Sequence, residues 1–463
     1  MRYVSTRGRA EVLDFAEAMM TGLARDGGLY LPESIPEIAP DRIASFEGRA
    51  YEDVAADLLA PFVGDSFSEA ELRGAIARAW QGFDHVARAP LAQLAPGHHL
   101  LELFHGPTLA FKDFAMQLIG QLFQLALARS GRRITIVGAT SGDTGSAAIE
   151  AFRGLANVDV FIMYPHGRVS EVQRRQMTTP DAPNVHALAL EGTFDDCQAR
   201  LKDLFNDHAF RDRVGLAGVN SINWARVLAQ IVYYFTAAVS LGAPARGIDF
   251  TVPTGNFGDI FAGAVARAMG LPIGRLVVAT NQNDILDRAL SGGAYRVGEV
   301  RASVSPSMDI QVSSNFERAL FLACGRDSAT LRALMEDLRE TGGFTIPQGA
   351  LEGLRETYRS GRAGEDETLA MIATIHAETG EVICPHTAVG AKVAREQLRP
   401  GVPMVTLATA HPAKFPDAVE RAIGRRPALP ERMAGLFDLP ERITRVENDA
   451  EALKSLILER RTD

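Results

Sequence analysis

From about residue 100 onward, short apolar runs alternate with longer segments whose apolar positions recur every three or four residues. The short runs read as buried strands and the 3.6-residue recurrence as helices with one face on a core. The first series predicts a strand at 134–137, a helix at 146–152, a strand at 158–164, a helix at 170–177 and a strand at 185–190. Thr193 and Asp195 offer caps for a helix reaching Phe205, and 223–241 forms a long helix whose apolar run 231–243 is buried. A second series opens with a strand at 248–252, then a helix reaching Met269, a strand at 276–279 and a helix at 284–290. Residues 291–313 carry no period. Helices are expected at 316–324, 330–340, 367–378 and 388–397, and the last core strand at 404–408.

Strands that alternate with helices imply α/β architecture, with parallel sheets covered on both faces. The first 95 residues read differently, as a helix-rich unit with helical patterns near 51–63 and 68–80 and a glycine turn at 26–32. The tail from about 429 is charged and helical, as if packed on the surface. The expected division is therefore 1–95, then a region 96–428 made of two α/β halves (about 96–240 and 241–428), then 429–463.

Length and composition narrow the function. A chain of 463 residues exceeds one ordinary domain, and 46% hydrophobic with 23% charged residues is a globular balance. A net charge of −9 without a basic stripe argues against nucleic acid. Arg2, Arg7, Arg9, Glu11, Asp14 and Glu17 leave no apolar core for a secretory signal, and the run 231–243 is too short to cross a bilayer. Three widely spaced cysteines and unpaired histidines point to a reducing cytoplasm and no metal site.

The candidate chemistry centres on 102–114, where Lys112 stands between Phe111 and Asp113, with Leu109 and Ala110 before it and Phe114 after. Apolar surroundings strip an ammonium of hydration and free a nucleophilic amine, the condition for a Schiff base with a carbonyl compound. The plainer alternative is a surface lysine at a helix start. Two glycine loops each join a strand to a helix, presenting backbone N–H groups and a helix dipole to an anion. Gly255-Asn256-Phe257-Gly258-Asp259 suits a phosphate held on backbone donors, and Thr140-Ser141-Gly142-Asp143-Thr144 a substrate carboxylate. Either loop is also explained as a tight turn in which glycine only permits positive φ.

Together these stretches resemble the threonine synthase family, from Tyr3-Val4-Ser5-Thr6-Arg7-Gly8 through Asp26-Gly27-Gly28-Leu29 to Ala410-His411-Pro412-Ala413-Lys414-Phe415. His105-Gly106-Pro107-Thr108, Phe111-Lys112-Asp113, Ala139 to Gly145, Asn220 to Arg226 and Gly255 to Asp259 carry the resemblance, which is to the longer microbial and fungal branch. It implies fold type II of the pyridoxal-phosphate enzymes, like the tryptophan synthase β chain, with the cofactor between two parallel-sheet domains. It further implies that Lys112 binds the cofactor and then serves as the mobile acid and base. Gly255, Asn256, Phe257, Gly258 and Asp259 would cradle the cofactor phosphate, and Thr409 would bond the pyridine nitrogen. Asp143 stands where many fold-type II enzymes carry Asn against the 3′-oxygen.

Thr140, Ser141 and Thr144 would bind the substrate carboxylate. Asn220, Asn223, Arg226 and Lys414 are candidates for the substrate phosphate, while His105 and His411 either orient polar groups near the cofactor or are structural. The implied reaction converts O-phospho-L-homoserine and water to L-threonine and phosphate. A phospho-lyase releasing 2-oxobutanoate on the same scaffold, and a catalytically silent anion-binding protein, are the alternatives. The expected protein is a cytoplasmic monomer or weak homodimer acting on a small molecule.

Overall fold

A computed structural model describes residues 1–462 of the chain. In chain order, the strands of its two large sheets are β1 (Leu91–Ala95), β2 (His98–Glu102), β3 (Ile134–Ala139), β4 (Val158–Pro165), β5 (Val185–Leu190) and β6 (Leu216–Ala217), followed by β7 (Ile248–Pro253), β8 (Ile273–Thr280), β9 (Tyr358–Arg362), β10 (Met404–Ala408) and β11 (Thr444–Val446). Among the described residues the larger sheet has the order β9-β8-β7-β10-β2-β1 and the smaller β11-β5-β4-β3-β6. Pairing is parallel throughout both, except between β1 and β2.

The apolar runs explain this arrangement. Every residue of β4, β7 and β10 is buried, as strands with helices on both faces must be. The helices that matter for the site are α1 (Lys112–Ser130), α2 (Asp143–Phe152), α3 (Phe194–Asn206), α4 (Trp224–Ser240), α5 (Gly258–Ala268), α6 (Pro385–Gln397) and α7 (Ala450–Arg460). Helix α4 is the central pillar. All but two of its residues are buried, and it packs against α1, α5 and the amino-terminal helix Tyr51–Val63. Its start is held by Asn223, whose Oδ1 accepts the Ala225 N–H while Nδ2 donates to the carbonyls of Met19 (2.8 Å) and Gly218 (3.2 Å).

Tyr51–Val63, β5 and β10 fall at the bounds that periodicity predicts, and Ser68 caps Glu69–Trp80 through a capping box. Four regions depart from expectation. The region 291–313 contains a short strand, Ala294–Arg296, which pairs antiparallel with Gly343–Thr345. The helix Gln348–Thr357 and the edge strand β9 follow where no element was expected. Strands β1 and β2 lie before or across residue 100 and join the larger sheet. The tail is more than a surface helix: β11 extends the smaller sheet beyond β5, and Leu453 and Ile457 of α7 are buried in that sheet's core.

Candidate active site

A cavity of about 600 Å³ lies where loops from the two sheets meet. Ala139 to Ser141, Asp143 and Thr144 at the end of β3 and part of α3 line one side, and 253–259 at the end of β7 the other. Arg226 and Gln230 of α4, Lys112, His386, Thr409 and the segment 306–312 complete the wall. Ligands in open α/β sheets bind at the carboxyl ends of strands, and both glycine loops sit at such ends.

Lys112 is the first residue of α1 and is 8% exposed. Main-chain bonds fix its segment against the end of β10: the Phe111 N–H donates to the Thr409 carbonyl (2.9 Å) and the His411 N–H to that of Leu109 (3.0 Å). Leu109 adopts φ +64°, a conformation costing a non-glycine residue about 1–2 kcal/mol, which the surrounding bonds must hold. The next residue, Asp113, turns back to accept the Thr108 N–H (2.8 Å) and hydroxyl (2.6 Å). A Cβ on Gly106 would lie 2.4 Å from Asp113 Cβ, so glycine is required there. Burial draws the Lys112 pKa below the ordinary lysine value. Nearby Asp143 opposes the shift, and the cations of Arg226 and Lys414 add to it.

The two loops are built differently. In the first, Thr140 Oγ1 accepts the N–H groups of Gly142 and Gly145, each at 2.9 Å, which folds the turn over its own hydroxyl. Gly142 has φ +136°, and a Cβ there would strike Gln173. Ser141 and Thr144 line the cavity. Asp143 opens α2 and is buried. Its Oδ1 meets Lys414 Nζ (2.9 Å) and Gln173 Nε2 (2.9 Å), and its Oδ2 faces Lys112 Nζ at 3.4 Å. Burial alone would raise this carboxyl, but the two lysines outweigh it and hold it below the usual carboxylate range.

The second loop offers backbone. Phe257 has φ +64°, with its ring packed on Phe316 and Tyr358, so it faces the cavity through its main chain. A Cβ on Gly255 would lie 2.7 Å from the Ser307 carbonyl oxygen, and Gly258 opens α5. The first N–H groups of α5 have no partner within the helix. Asn256 Oδ1 accepts from Ser314 Oγ at 3.1 Å. Asp259 bends away onto α4, where the hydroxyls of Tyr233 (2.5 Å) and Tyr234 (3.1 Å) donate to Oδ1. Its Oδ2 has no hydrogen-bond partner, and burial pushes the carboxyl up to about 6.

Arg226 stands on α4 beneath this loop. It is 4% exposed, its Nη1 reaches only the Val219 carbonyl at 3.4 Å, and its Nε is unpartnered. No acidic side chain among the described residues pairs with it. Burial brings the guanidinium down to about 10. A buried cation without a counter-ion is costly, and an anionic ligand removes the cost.

Two of the phosphate-binding expectations are corrected by this geometry. Lys414 is fully buried off the cavity, its ammonium spent on Asp143 and the Thr108 carbonyl. Asn223 is likewise enclosed and spent on capping α4. Asn220 does line the cavity. His105 lies off it, between Asp84 Oδ1 (2.8 Å) and Glu102 Oε2 (2.7 Å), and His411 Nδ1 accepts the Ala413 N–H (3.2 Å) of a short turn. Sequence reasoning passed over His386 and Gln230. His386 Nε2 accepts the Ser307 N–H (3.2 Å), its Nδ1 is unpartnered, and burial lowers it to about 4, so it is neutral near pH 7. Its one sequence signal is its place at a helix start beside Thr387.

The cavity therefore joins a buried amine, a backbone cradle that admits no Cβ at Gly255, and unpartnered donors on Arg226 and His386. This donor set fits a flat aldehyde that carries a phosphate arm, and leaves a cation over for a second anion.

Three family models match the chain. The description "Threonine synthase N terminus" covers residues 2–80, "Pyridoxal-phosphate dependent enzyme" residues 85–410, and "Threonine synthase, C-terminal" residues 387–457. A threonine synthase from Pseudomonas aeruginosa is 51% identical over 459 residues, which is 99% of this chain and 98% of that one. The crystal structure of PLP-bound threonine synthase from Brucella melitensis matches with a TM-score of 0.97 at 53% identity, covering 99% of both chains. The yeast threonine synthase structure matches with a TM-score of 0.94 at 38% identity, over 99% of this chain and 98% of that one.

Proposed function

The chain belongs to the threonine synthase family, and on that premise we propose how its residues divide the work of turning O-phospho-L-homoserine and water into L-threonine and phosphate. Pyridoxal 5′-phosphate, when bound, supplies an electron sink that stabilises negative charge on the substrate carbons beside the amine.

In this reading Lys112 Nζ makes the covalent attachment and, once the substrate amine displaces it, carries protons from Cα and then Cβ of the substrate. One flexible amine at the mouth of α1 can serve successive carbons, which fixed bases would not. The N–H groups at 255–259 hold the cofactor phosphate, with Gly255 and Gly258 admitting it close to the backbone. The Thr409 hydroxyl bonds the ring nitrogen without fixing a proton there, which a carboxylate would do. Asp143 orients Lys112, and its place among the donors of Lys414, Gln173 and Lys112 makes a direct bond to the ring oxygen secondary to that role.

Thr140 shapes the first loop, and Ser141 and Thr144 hold the substrate carboxylate. Arg226, with Asn220, receives the leaving phosphate: its charge is buried, uncompensated and able to follow the group as it departs. Closure of α3 over the cavity would keep water out until it is needed at Cβ.

The observation that carries the assignment is that the Lys112 amine, the start of α5 and the unpaired Arg226 all open onto one cavity. Borohydride reduction of the reconstituted enzyme followed by peptide mass mapping tests it. The cofactor is expected on the peptide containing Lys112, and attachment at another lysine would refute the assignment. A product assay belongs beside it, with threonine and phosphate expected in equal amounts; phosphate accompanied by 2-oxobutanoate alone would favour the phospho-lyase.

The same proposal places the enzyme in the cytoplasm as a monomer or weak homodimer, which sedimentation velocity checks. It keeps joins near residues 95 and 428, which limited proteolysis checks. No helix among the described residues is long and apolar enough to cross a membrane.

A further inference from the structure

We infer that Lys414, sealed behind the cavity wall, is a positioning residue that acts on Lys112 through Asp143 by matching the carboxylate's charge. The inference rests on Lys112 being the lysine that binds the cofactor and moves the protons. Lys414 is fully buried and takes no part in the cavity lining, so it touches neither substrate nor cofactor. Its ammonium meets Asp143 Oδ1 at 2.9 Å and the Thr108 carbonyl at 2.7 Å. The other oxygen of the same carboxylate faces Lys112 Nζ at 3.4 Å. One carboxylate thus stands between two lysines, and the shorter contact goes to the one outside the cavity.

The arrangement has a direct electrostatic effect. A buried carboxylate with Lys112 as its sole ionic partner would hold that lysine as ammonium. A carboxylate whose charge is already matched leaves the amine free to lose its proton. Lys414 also anchors the turn before α1, because the Thr108 carbonyl it bonds belongs to the residue whose N–H and hydroxyl fix Asp113.

The other groups around Lys112 are few. Arg226 of α4 acts in the same sense as Lys414, and Asp259 of α5 in the opposite sense. His386 of α6 is neutral, and Asp113, beside Lys112 on α1, lies in the field of Lys414. Of these, Lys414 alone shares Asp143 with Lys112 by direct contact.

The test follows the acid–base midpoint of Lys112 in the apoprotein by graded acetic anhydride labelling across pH, read by peptide mass spectrometry. Lys414→Met should move that midpoint up by about one pH unit, leaving about tenfold less reactive amine at a fixed pH below it. Lys414→Arg, which keeps the charge, should restore most of the reactivity. A folded Lys414→Met protein, checked by circular dichroism, whose midpoint is unmoved overturns the inference, since a merely structural lysine alters stability alone.

If Lys414→Met does not fold, Lys414→Gln removes the charge while keeping a donor toward Asp143 and the Thr108 carbonyl. It should give a smaller upward shift, and an unmoved midpoint again overturns the inference. Borohydride mapping of each holoenzyme separates the two layers. Attachment at another lysine overturns the premise together with the inference, whereas attachment at Lys112 with an unmoved midpoint overturns the inference alone.

Discussion

The loops at 140–145 and 255–259 share a plan: strand, glycine turn, helix start, and an aspartate in the first turn of the helix. They differ in what surrounds the aspartate. Asp143 has two lysines and an amide around it and stays ionised, with its charge matched from behind the loop. Asp259 has two tyrosine hydroxyls and one idle oxygen, and its carboxyl lies up near 6. Asp259 sheds its charge only below about pH 6, but its side chain is held back on α4, which leaves the backbone N–H groups at the start of α5 open to a phosphate. One strand–turn–helix plan is thus given a lysine-matched carboxylate in the first loop and a tyrosine-held one in the second by the side chains packed behind it.

The largest way to break this contrast is at its shared neighbour. Lys112→Ala should remove covalent attachment and lower turnover by about three orders of magnitude or more while leaving the fold intact, as steady-state assays and circular dichroism would show. Arg226→Ala comes next. It should cost on the order of 2–4 kcal/mol of transition-state stabilisation through kcat/KM, yet leave cofactor affinity unaltered. Kinetics beside a cofactor titration decide it, and loss of cofactor with normal substrate binding would put Arg226 on the other phosphate.

Gly255→Val probes the accepting loop. Its side chain would meet the Ser307 carbonyl and should weaken cofactor retention by about 1–3 kcal/mol, measured by equilibrium dialysis. The smallest effect on activity belongs to Asp259→Asn, which replaces a carboxyl held back on Tyr233 and Tyr234 by an amide and should keep cofactor affinity within about threefold. Its signature is in stability. With a carboxyl at about 6 folded and 3.8 unfolded, the native apoprotein binds more protons between those values. The contribution of Asp259 is thus fully present below about pH 4 and lost as pH rises to about 6. Relative to wild type, Asp259→Asn should gain on the order of 2–3 kcal/mol across that window in denaturant titrations. A flat difference would mean that folding does not raise the Asp259 carboxyl.

Much of this was legible in the chain. Contiguous motifs mark Lys112 and both loops, and the interior strands announce themselves because burial on both faces demands unbroken apolar runs. What stayed hidden depends on neighbours far apart in sequence. Strand β9, Tyr-Arg-Ser-Gly-Arg, lies at a sheet edge and needs no apolar pattern, and β2 begins with two histidines. Lys414 looked like a phosphate ligand because a lysine near a cofactor motif is usually read as a free charge. Its partner Asp143 lies across the fold, and no spacing rule links them. Asn223, His386 and Gln230 follow the same logic: their roles arise from the faces of α4 and α6 that packing selects.

Strand β11 has a consequence for biogenesis. It covers the outer edge of β5 and is fastened there by a two-pronged bond from Arg174 to Glu441, at 2.9 Å on each arm. On a ribosome, β5 is made long before β11, with four of the six strands of the larger sheet synthesised between them. While strands β7 to β10 are being made, β5 presents open hydrogen-bonding groups to any neighbouring nascent chain. The last piece of the smaller sheet to be translated is thus its guard against aggregation, and a frameshift or stop codon just before residue 444 endangers solubility before it touches any catalytic residue.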